Sequence, residues 1–544
     1  MHDTLHRGLP PQESFSSDER AALAPFVTNV DGPVFALVNM PEVVKGALFA
    51  RYSRSAKSLR RLLLDEFMND LPSPARLGTS EDGPTRAEKL YDRVFQQYGD
   101  DSVAQLGGVH LACEGVSNLL TKVLERGRLM AYLEQSTRYV PYDDKLGGRW
   151  KYHTPTELEG PLRAEYRRVL DATFDTYARW IAPLEEHYRA RFPRDADTPA
   201  GAYRRTIRAK ALDALRGLLP AATRSNLGMF GTGQAYETLL LRMRASEATE
   251  TRAFADLMLT ELRKVVPSFV ARVDRADRGV AWSAYLRETE IETRSAAASM
   301  VPTVAEHDAP EVQLTDFDPE GELKVIAAAL YSTSTASDQV LMDRARAMSA
   351  DERRSVLRAY VGERKNRRHK PGRAFERTAY RFDVLSDYGA FRDLQRHRMM
   401  TLDWQKLGPS HGYVVADAIH EIGALDDWRR VMDGSAELYT TLASQGLSEA
   451  APYAVPMAYR IRFYMEMNAR EAMHVIELRT APQGHAAYRR VGQRMHRLIE
   501  EVAGHRSIAA AMTFVNHDEV ELERLEAEKS TELRMARNSI PAAE

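Results

Sequence analysis

The sequence predicts an α+β fold, predominantly helical with small β-sheets, in which one domain is written twice. Three observations carry this. Apolar residues recur at spacings of three and four along most of the chain, strand-like runs are few, and two short motifs reappear in the same order at nearly the same distance. At roughly 150 residues per domain, 544 residues would suit three or four unrelated domains. The repeat makes two copies the better reading.

Helical periodicity runs through residues 162–184, 206–219, 238–265, 325–330 and 488–502, which are rich in Ala, Leu, Arg and Glu. Such side chains lose little freedom in a helix. Residues 34–38 and 378–384 are the clearest strand candidates, short and enriched in β-branched and aromatic residues. Gly228-Met229-Phe230-Gly231-Thr232-Gly233 lacks the lysine and strand–helix setting of a phosphate loop and reads as a flexible connection. Residues 295–320, with Ala296-Ala297-Ala298-Ser299, Pro302 and His307-Asp308-Ala309-Pro310, read as a linker. The expected organisation is a flexible tail over 1–30, a first domain over 31–294, that linker, a second domain over 321–520, and a charged helix and tail over 521–544.

The repeat rests on two echoes. Tyr52-Ser53-Arg54-Ser55 returns as Tyr331-Ser332-Thr333-Ser334, an offset of 331 − 52 = 279. Arg126-Gly127-Arg128-Leu129-Met130 returns as Arg396-His397-Arg398-Met399-Met400, an offset of 396 − 126 = 270. Duplication explains the shared order better than coincidence does.

Composition narrows the functional classes. Lys and Arg number 75 against 77 Asp and Glu, a formal net charge of −2, which disfavours a protein built to coat nucleic acid or an anionic membrane. Cys113 is the one cysteine, so neither an intramolecular disulfide nor a cysteine-based zinc cluster can form. Its apolar setting reads as core. No apolar run approaches the ~20 residues of a membrane span, and the first residues carry no basic-then-apolar signal pattern. A cytoplasmic address is expected, and no metal motif such as His-Glu-x-x-His occurs.

Chemistry concentrates in two clusters. Glu134-Gln135-Ser136-Thr137-Arg138-Tyr139 closely follows Arg126 and Arg128, gathering guanidinium forks with a carboxylate, an amide and a hydroxyl. Guanidinium suits phosphate and planar carbonyl acceptors. A solvated helix end, with Glu134 paired to Arg138 at i,i+4, is the plainer alternative. The second cluster is Gln395-Arg396-His397-Arg398, whose cations repel unless an anion or electron-rich ring lies between them.

Taken together, these residues resemble a split version of the flavin-dependent thymidylate synthase signature, an Arg-His-Arg followed by Ser and then Arg-Tyr. The first half matches at Arg126, Arg128, Glu134, Gln135, Ser136, Arg138 and Tyr139, with Gly127 in place of the histidine. The second matches at Arg396, His397 and Arg398, but Trp404, Lys406 and Gly408 replace the glutamate, serine and arginine. Arg216-Gly217-Leu218-Leu219-Pro220 resembles the family's Arg-x-x-Leu-Pro segment, and the second half has Pro452-Tyr453-Ala454-Val455-Pro456 there. Asn468-Ala469-Arg470 through His474 to Leu478-Arg479 resembles the Asn-x-Arg to Leu-Arg helix; the first half keeps only Leu241-Arg242. Asp100 stands where the family has a flavin-binding histidine, and His369, 269 residues later (369 − 100), is either its replacement or part of a plain basic loop.

The resemblance implies two degenerate copies with complementary losses. It implies FAD as cofactor, NADPH and methylenetetrahydrofolate as co-substrates, and methyl transfer to dUMP. Glu134, Gln135, Ser136, Arg138 and Arg216 would hold the nucleotide. Arg242 or Arg479 would polarise the pyrimidine. Arg126, Arg128, His369, Arg396, His397, Arg398, Asn468, Arg470 and His474 would face the flavin. It also implies a homodimer of fused chains forming a pseudo-tetramer. The alternative is a non-catalytic flavin- or nucleotide-binding scaffold of the same descent.

Overall fold

Four strands run directly into capped helices, and they do so as two matching pairs. Strand β1 (Gly108–Ser117) ends at Ser117, whose hydroxyl accepts from the Leu120 amide and starts the helix Asn118–Leu124. The Arg126-Gly127-Arg128 turn leads into β2 (Met130–Glu134). Strand β3 (Arg224–Thr232) ends at Thr232, which caps the helix Gly233–Ala245. The second copy repeats the plan after an extra strand, β4 (Val312–Phe317). Strand β5 (Ala379–Asp387) ends at Asp387, which caps the helix Tyr388–Leu394. The Arg396–Arg398 turn follows, then β6 (Thr401–Trp404). Finally β7 (Arg460–Asn468) ends at Asn468, which caps the helix Ala469–Arg479. Ser, Asp, Thr and Asn are the residues that best satisfy an orphaned helix N-terminus.

The sheets match as well. The first has the order β1-β3-β2, and the second β4-β5-β7-β6, so β5-β7-β6 reproduces it with β4 added at the edge. In the second sheet β5 pairs with β7 antiparallel from Ala379↔Asn468 to Asp387↔Arg460, and β6 pairs with β7 from Thr401↔Glu466 to Trp404↔Phe463. Alternate residues of β7, Ile461, Phe463, Met465 and Met467, are buried, as a strand with one covered face requires.

The computed structural model describes residues 13–31, 35, 37–52, 57–68, 105–301, 310–522 and 524–538. Two compact units divide the chain. The smaller comprises Met1–Cys113, Leu129–Leu133 and Leu227–Pro302; the larger comprises Glu114–Arg128, Glu134–Asn226 and Thr303–Glu544. The units thus interleave along the sequence, and the larger one contains the motif turns of both copies. Its core gathers Tyr166, Phe174 and Tyr177 with Phe382, Phe391 and Phe463. The smaller unit has a separate apolar cluster around Phe26, Leu48, Leu62 and Phe67.

Several elements differ from their sequence expectation. The 162–184 helix extends over Gly160–Arg191. Residues 206–219 form the helix Ala200–Leu215, tightened into a 3₁₀ turn, Arg216–Leu218, just ahead of Pro220. The 238–265 helix is two, Gly233–Ala245 and Thr249–Val265, because Ser246 turns to extended backbone and its hydroxyl takes the Ala248 amide.

The glycine-rich run is no flexible connection. It finishes β3 and opens the next helix, and its glycines serve close packing: a Cβ at Gly231 would lie 2.7 Å from Met130, and one at Gly233 2.5 Å from Phe269. The linker stretch holds the end of the helix Ala281–Met300 and all of β4, while 302–309 lie outside the described residues. Of the strand expected over 34–38, Leu37 makes an isolated bridge to Val27, and residues 32–34 and 36 lie outside the described residues. Of the strand expected over 378–384, residues 379–384 fall in β5, which runs on to Asp387.

Candidate functional site

The larger unit buries a carboxylate on which two helices and a turn converge. Glu134, at the end of β2, has a side chain with no exposed surface. Its Oε1 accepts from Arg392 Nη2 at 2.7 Å, and its Oε2 faces Lys122 Nζ at 3.3 Å and also accepts from Arg396. Burial pushes its proton affinity up, but Arg392, Lys122 and Arg396 overcome that and hold the carboxyl far below the usual range. The i,i+4 pairing of Glu134 with Arg138 does not occur, because Glu134 lies on a strand and points to the second copy's helix.

Arg396 and Arg216 meet at a second carboxylate. Arg216 Nη1 lies 3.4 Å from Asp393 Oδ2, and Arg396 lies 4.0 Å from Asp393 Oδ1. Burial raises the proton affinity of Asp393, yet Arg396, Arg216, Arg479 and Arg138 hold it far down. The first copy's Arg-x-x-Leu-Pro arginine and the second copy's Arg-His-Arg turn therefore share one partner.

Arg138 forms a third junction. Its Nε and Nη2 donate to the two oxygens of Asp213 at 2.8 and 2.7 Å, and its Nη1 donates to the Tyr488 hydroxyl at 3.0 Å. The Arg479 guanidinium lies 5.4 Å from the same Tyr488 ring, and Arg479 Nε donates to His397 Nε2 at 2.9 Å. Burial lowers the proton affinity of Arg479, against the pull of Asp393. Ser136 turns inward to its own backbone, its hydroxyl accepting from the Arg138 amide.

Beyond His397 lie two half-buried titratable groups, Glu471 and His474. His397 Nδ1 is 3.7 Å from Glu471 Oε1, and the His474 ring is 5.6 Å from that of His397. Burial pushes His474 down to about 4 and Glu471 up to about 7. Ligand atoms of His397, Glu471 and His474 fall within 4.8 Å of one another, close enough to share a cation. However, Lys370, Arg470 and Arg398 act on Glu471, and Arg367 and Arg479 act on His474, so the surroundings suit an anion better. Asn468 caps its helix, and Arg470 donates to the Pro371 carbonyl at 2.9 Å. His369 is exposed, its Nδ1 accepting from the Lys365 amide. Arg398 is exposed.

A cavity of about 360 Å³ opens beside this network, lined among others by Asp213, Arg216, Asp387, Trp428, His485 and Arg490. Two buried donors among these, Arg216 Nη2 and Trp428 Nε1, have no hydrogen-bond acceptor among the described residues. Desolvation holds Asp387 above its ordinary range despite Arg216, and holds His485 neutral. Both orphaned donors are closed to solvent, so a ligand in the cavity reaches them only if the side chains turn.

The remaining expected residues lie apart from this core. Arg126 donates to Asp403 at 3.2 Å and stacks over Trp404, whereas Arg128 donates to the Thr401 hydroxyl; both bonds are exposed. Gln135 is tied through its backbone amide to Asn226 and lines a different cavity. Arg242 is exposed on the helix Gly233–Ala245 of the smaller unit. Asp100 lies outside the described residues. Lys406, at the missing serine, is paired to Glu449 at 2.5 Å.

Lys122, Asp213, Arg392, Asp393 and Tyr488 were missed by the sequence reading. Their signal was faint but present: Asp213 and Asp393 each stand three residues before a motif arginine, one helical turn away.

The family profile described as "thymidylate synthase complementing protein" matches residues 47–268 and again 313–504. A UPF0159 protein of Chlamydia pneumoniae is 38% identical over 530 residues, covering 96% of this chain and 99% of its own length. One of Thermoplasma acidophilum is 31% identical over 511 residues, covering 89% and 97%. A flavin-dependent thymidylate synthase of a Mycobacterium species (strain JLS) is 31% identical over 192 residues, which is 34% of this chain and 70% of that protein. A solved structure of the UMP/dUMP methylase PolB from Streptomyces cacaoi, bound with 5-Br dUMP, matches 37% of this chain and 94% of its own at 21% identity and a TM-score of 0.29. No helix among the described residues is long and apolar enough to cross a membrane. With the profile matched twice and the strand–helix plan repeated in the fold, the chain belongs to the thymidylate synthase complementing protein family, the flavin-dependent thymidylate synthases, and carries its domain in two tandem copies.

Proposed function

We propose that the chain is an FAD-dependent thymidylate synthase that reductively methylates dUMP to dTMP, with methylenetetrahydrofolate as one-carbon donor and NADPH as reductant, at a site composed from both copies. One observation carries this reading: Glu134, Arg138 and Arg216 of the first copy and Arg396, His397 and Arg479 of the second lie in one network, joined through Asp393 and Tyr488.

Residue chemistry fits both ligands. The cavity lined by Lys210, Arg216 and Arg490 would supply cationic groups to a nucleotide's phosphate or carbonyl oxygens. The cationic groups around His397 and His474 suit an anionic flavin, with Arg396, Arg398, Asn468 and Arg470 as its further contacts, and Arg126, Arg128 and His369 at the periphery. When bound, FAD supplies the electrons that reduce the transferred one-carbon unit. The chain's own task is electrostatic. Arg479, buried and oriented by His397, places a fixed positive charge where the uracil carbonyl gains electron density, and burial strengthens that field. Arg242 would fill the equivalent role for the other copy. No thiol nucleophile enters this reading; burial pushes Cys113 up to about 11.

The chain would work in the cytoplasm as a homodimer, giving four domains in a pseudo-tetramer with each copy over 31–294 and 321–520. The scaffold reading has one specific observation in its favour, since the Asp213 carboxylate already engages the Arg138 fork. Two results decide between them. Purified protein is expected to be yellow with a flavin spectrum, and the gene is expected to support growth of a thymidine-requiring bacterial strain. A colourless protein that never rescues growth overturns the enzyme.

A further inference from the structure

The C-terminal segment reaches into the Arg138 junction with one side chain. Arg524 is 4% exposed, although it opens a charged segment. Its Nη1 donates to the Arg138 carbonyl at 3.4 Å, its Nη2 lies 3.4 Å from Asp213 Oδ2, and its guanidinium stacks 4.2 Å from the Tyr139 ring centroid. The helix Leu525–Asn538 is in turn fastened to the helix Ala200–Leu215, which also carries Asp213, by Arg205 with Glu528 at 2.7 Å and Glu532 at 3.1 Å. Just upstream, Glu521 pairs with Arg191, and both line the 360 Å³ cavity.

We propose that Arg524 is a positioning residue that gives the Asp213 carboxylate a second place to bind, so that Arg138 can turn its guanidinium to an anionic ligand. This deepens the nucleotide reading above and rests on it. Arg138 as it stands is saturated, its fork on Asp213 and its remaining nitrogen on Tyr488. A ligand phosphate could take that fork only by displacing Asp213, and a buried carboxylate left unpaired opposes the exchange. The groups facing Asp213 are Arg138, His485 and Arg524. Burial keeps His485 neutral, whereas the Arg524 guanidinium already reaches the carboxylate at 3.4 Å and can receive it. The exchange breaks no covalent bond and moves no proton. Its ligand class is an organic phosphate monoester or free phosphate, recognised as a compact dianion.

The test is calorimetric titration of the full-length protein with dUMP, inorganic phosphate and deoxyuridine. In Arg524→Gln, dUMP and phosphate are expected to bind at least about ten-fold more weakly, with deoxyuridine unchanged. Arg524→Lys, which keeps a cation at the berth, is expected to stay within about three-fold of wild type. Asp213→Asn removes the carboxylate that needs the berth, so Arg524→Gln should cost nothing further in that background. A role confined to folding would not be rescued by Asp213→Asn. Equal weakening by Arg524→Gln with and without Asp213, or none in either, overturns the proposal. If Arg524→Gln does not fold, Glu528→Gln with Glu532→Gln loosens the same segment at its ion pairs with Arg205; unchanged phosphate affinity there also overturns it. Loss of dUMP binding by the wild type, with the phosphate pattern intact, would overturn the nucleotide reading and leave the Arg524 role standing.

Discussion

Replacing Glu134 by Gln removes the anion on which three cations converge while leaving the shape of the side chain. Lys122 would keep Glu125, and Arg396 would keep Glu125 at 3.8 Å and Asp393 at 4.0 Å. Arg392 has no such reserve: its remaining contacts are the Thr137 hydroxyl at 3.4 Å and the Met457 sulfur at 3.3 Å. Its side chain is 4% exposed, so water cannot replace the lost charge. Breaking a buried pair by removing one partner costs about 3–5 kcal/mol. At about 2 °C per kcal/mol for a large domain, the melting temperature should fall by roughly 6–10 °C. Calorimetry of wild type, Glu134→Gln and Glu134→Gln with Arg392→Met measures it. The double variant removes the stranded charge and should recover more than half of the loss. A single variant within about 1 kcal/mol of wild type, or a double variant no more stable than the single, would refute the view that Glu134 is held in place as the counter-ion of Arg392.

Other outcomes follow from the same geometry. Arg138→Ala should abolish nucleotide-dependent activity while the purified protein keeps its flavin absorbance; flavin loss would place Arg138 on the wrong ligand. Glu471→Gln should change stability with pH: the folded-state carboxyl is raised to about 7, so stability falls as pH rises from the unfolded value of 4.5 through 7, and the amide escapes that loss. Thermal melts should show the variant gaining on wild type at pH 8 relative to pH 5, and an identical difference at both pH values would contradict this. Arg126→Ala removes an exposed pair with Asp403 and should shift unfolding by less than about 1 kcal/mol in urea titration.

How much of this was legible in the sequence depends on the range of the interaction involved. Strand-to-helix transitions leave a local mark, and the recurrence of Arg126 and Arg396 at one offset located two copies because each heads the same turn. Local capping is equally readable once the strands are known, as at Asp387 and Asn468. By contrast, the i,i+4 pairing of Glu134 and Arg138 was a helix rule applied to a residue that lies on a strand, where neighbours come from elsewhere in the chain. The partners it found instead, Arg392 and Arg396, are more than 250 positions away, and no spacing rule reaches that far. Glycine was misread for a related reason: at Gly231 and Gly233 the missing Cβ makes room for Met130 and Phe269, and a sequence shows the vacancy without the neighbour that fills it.

The composite site is tested most directly by dTMP formation from dUMP in purified flavin-loaded protein carrying one substitution in each copy. Arg216→Ala, in the first, and Arg479→Ala, in the second, should each abolish turnover on their own, because the proposed site takes the nucleotide's phosphate from one copy and its uracil ring from the other. Full turnover in either single variant would contradict a shared site and assign the reaction to one copy alone.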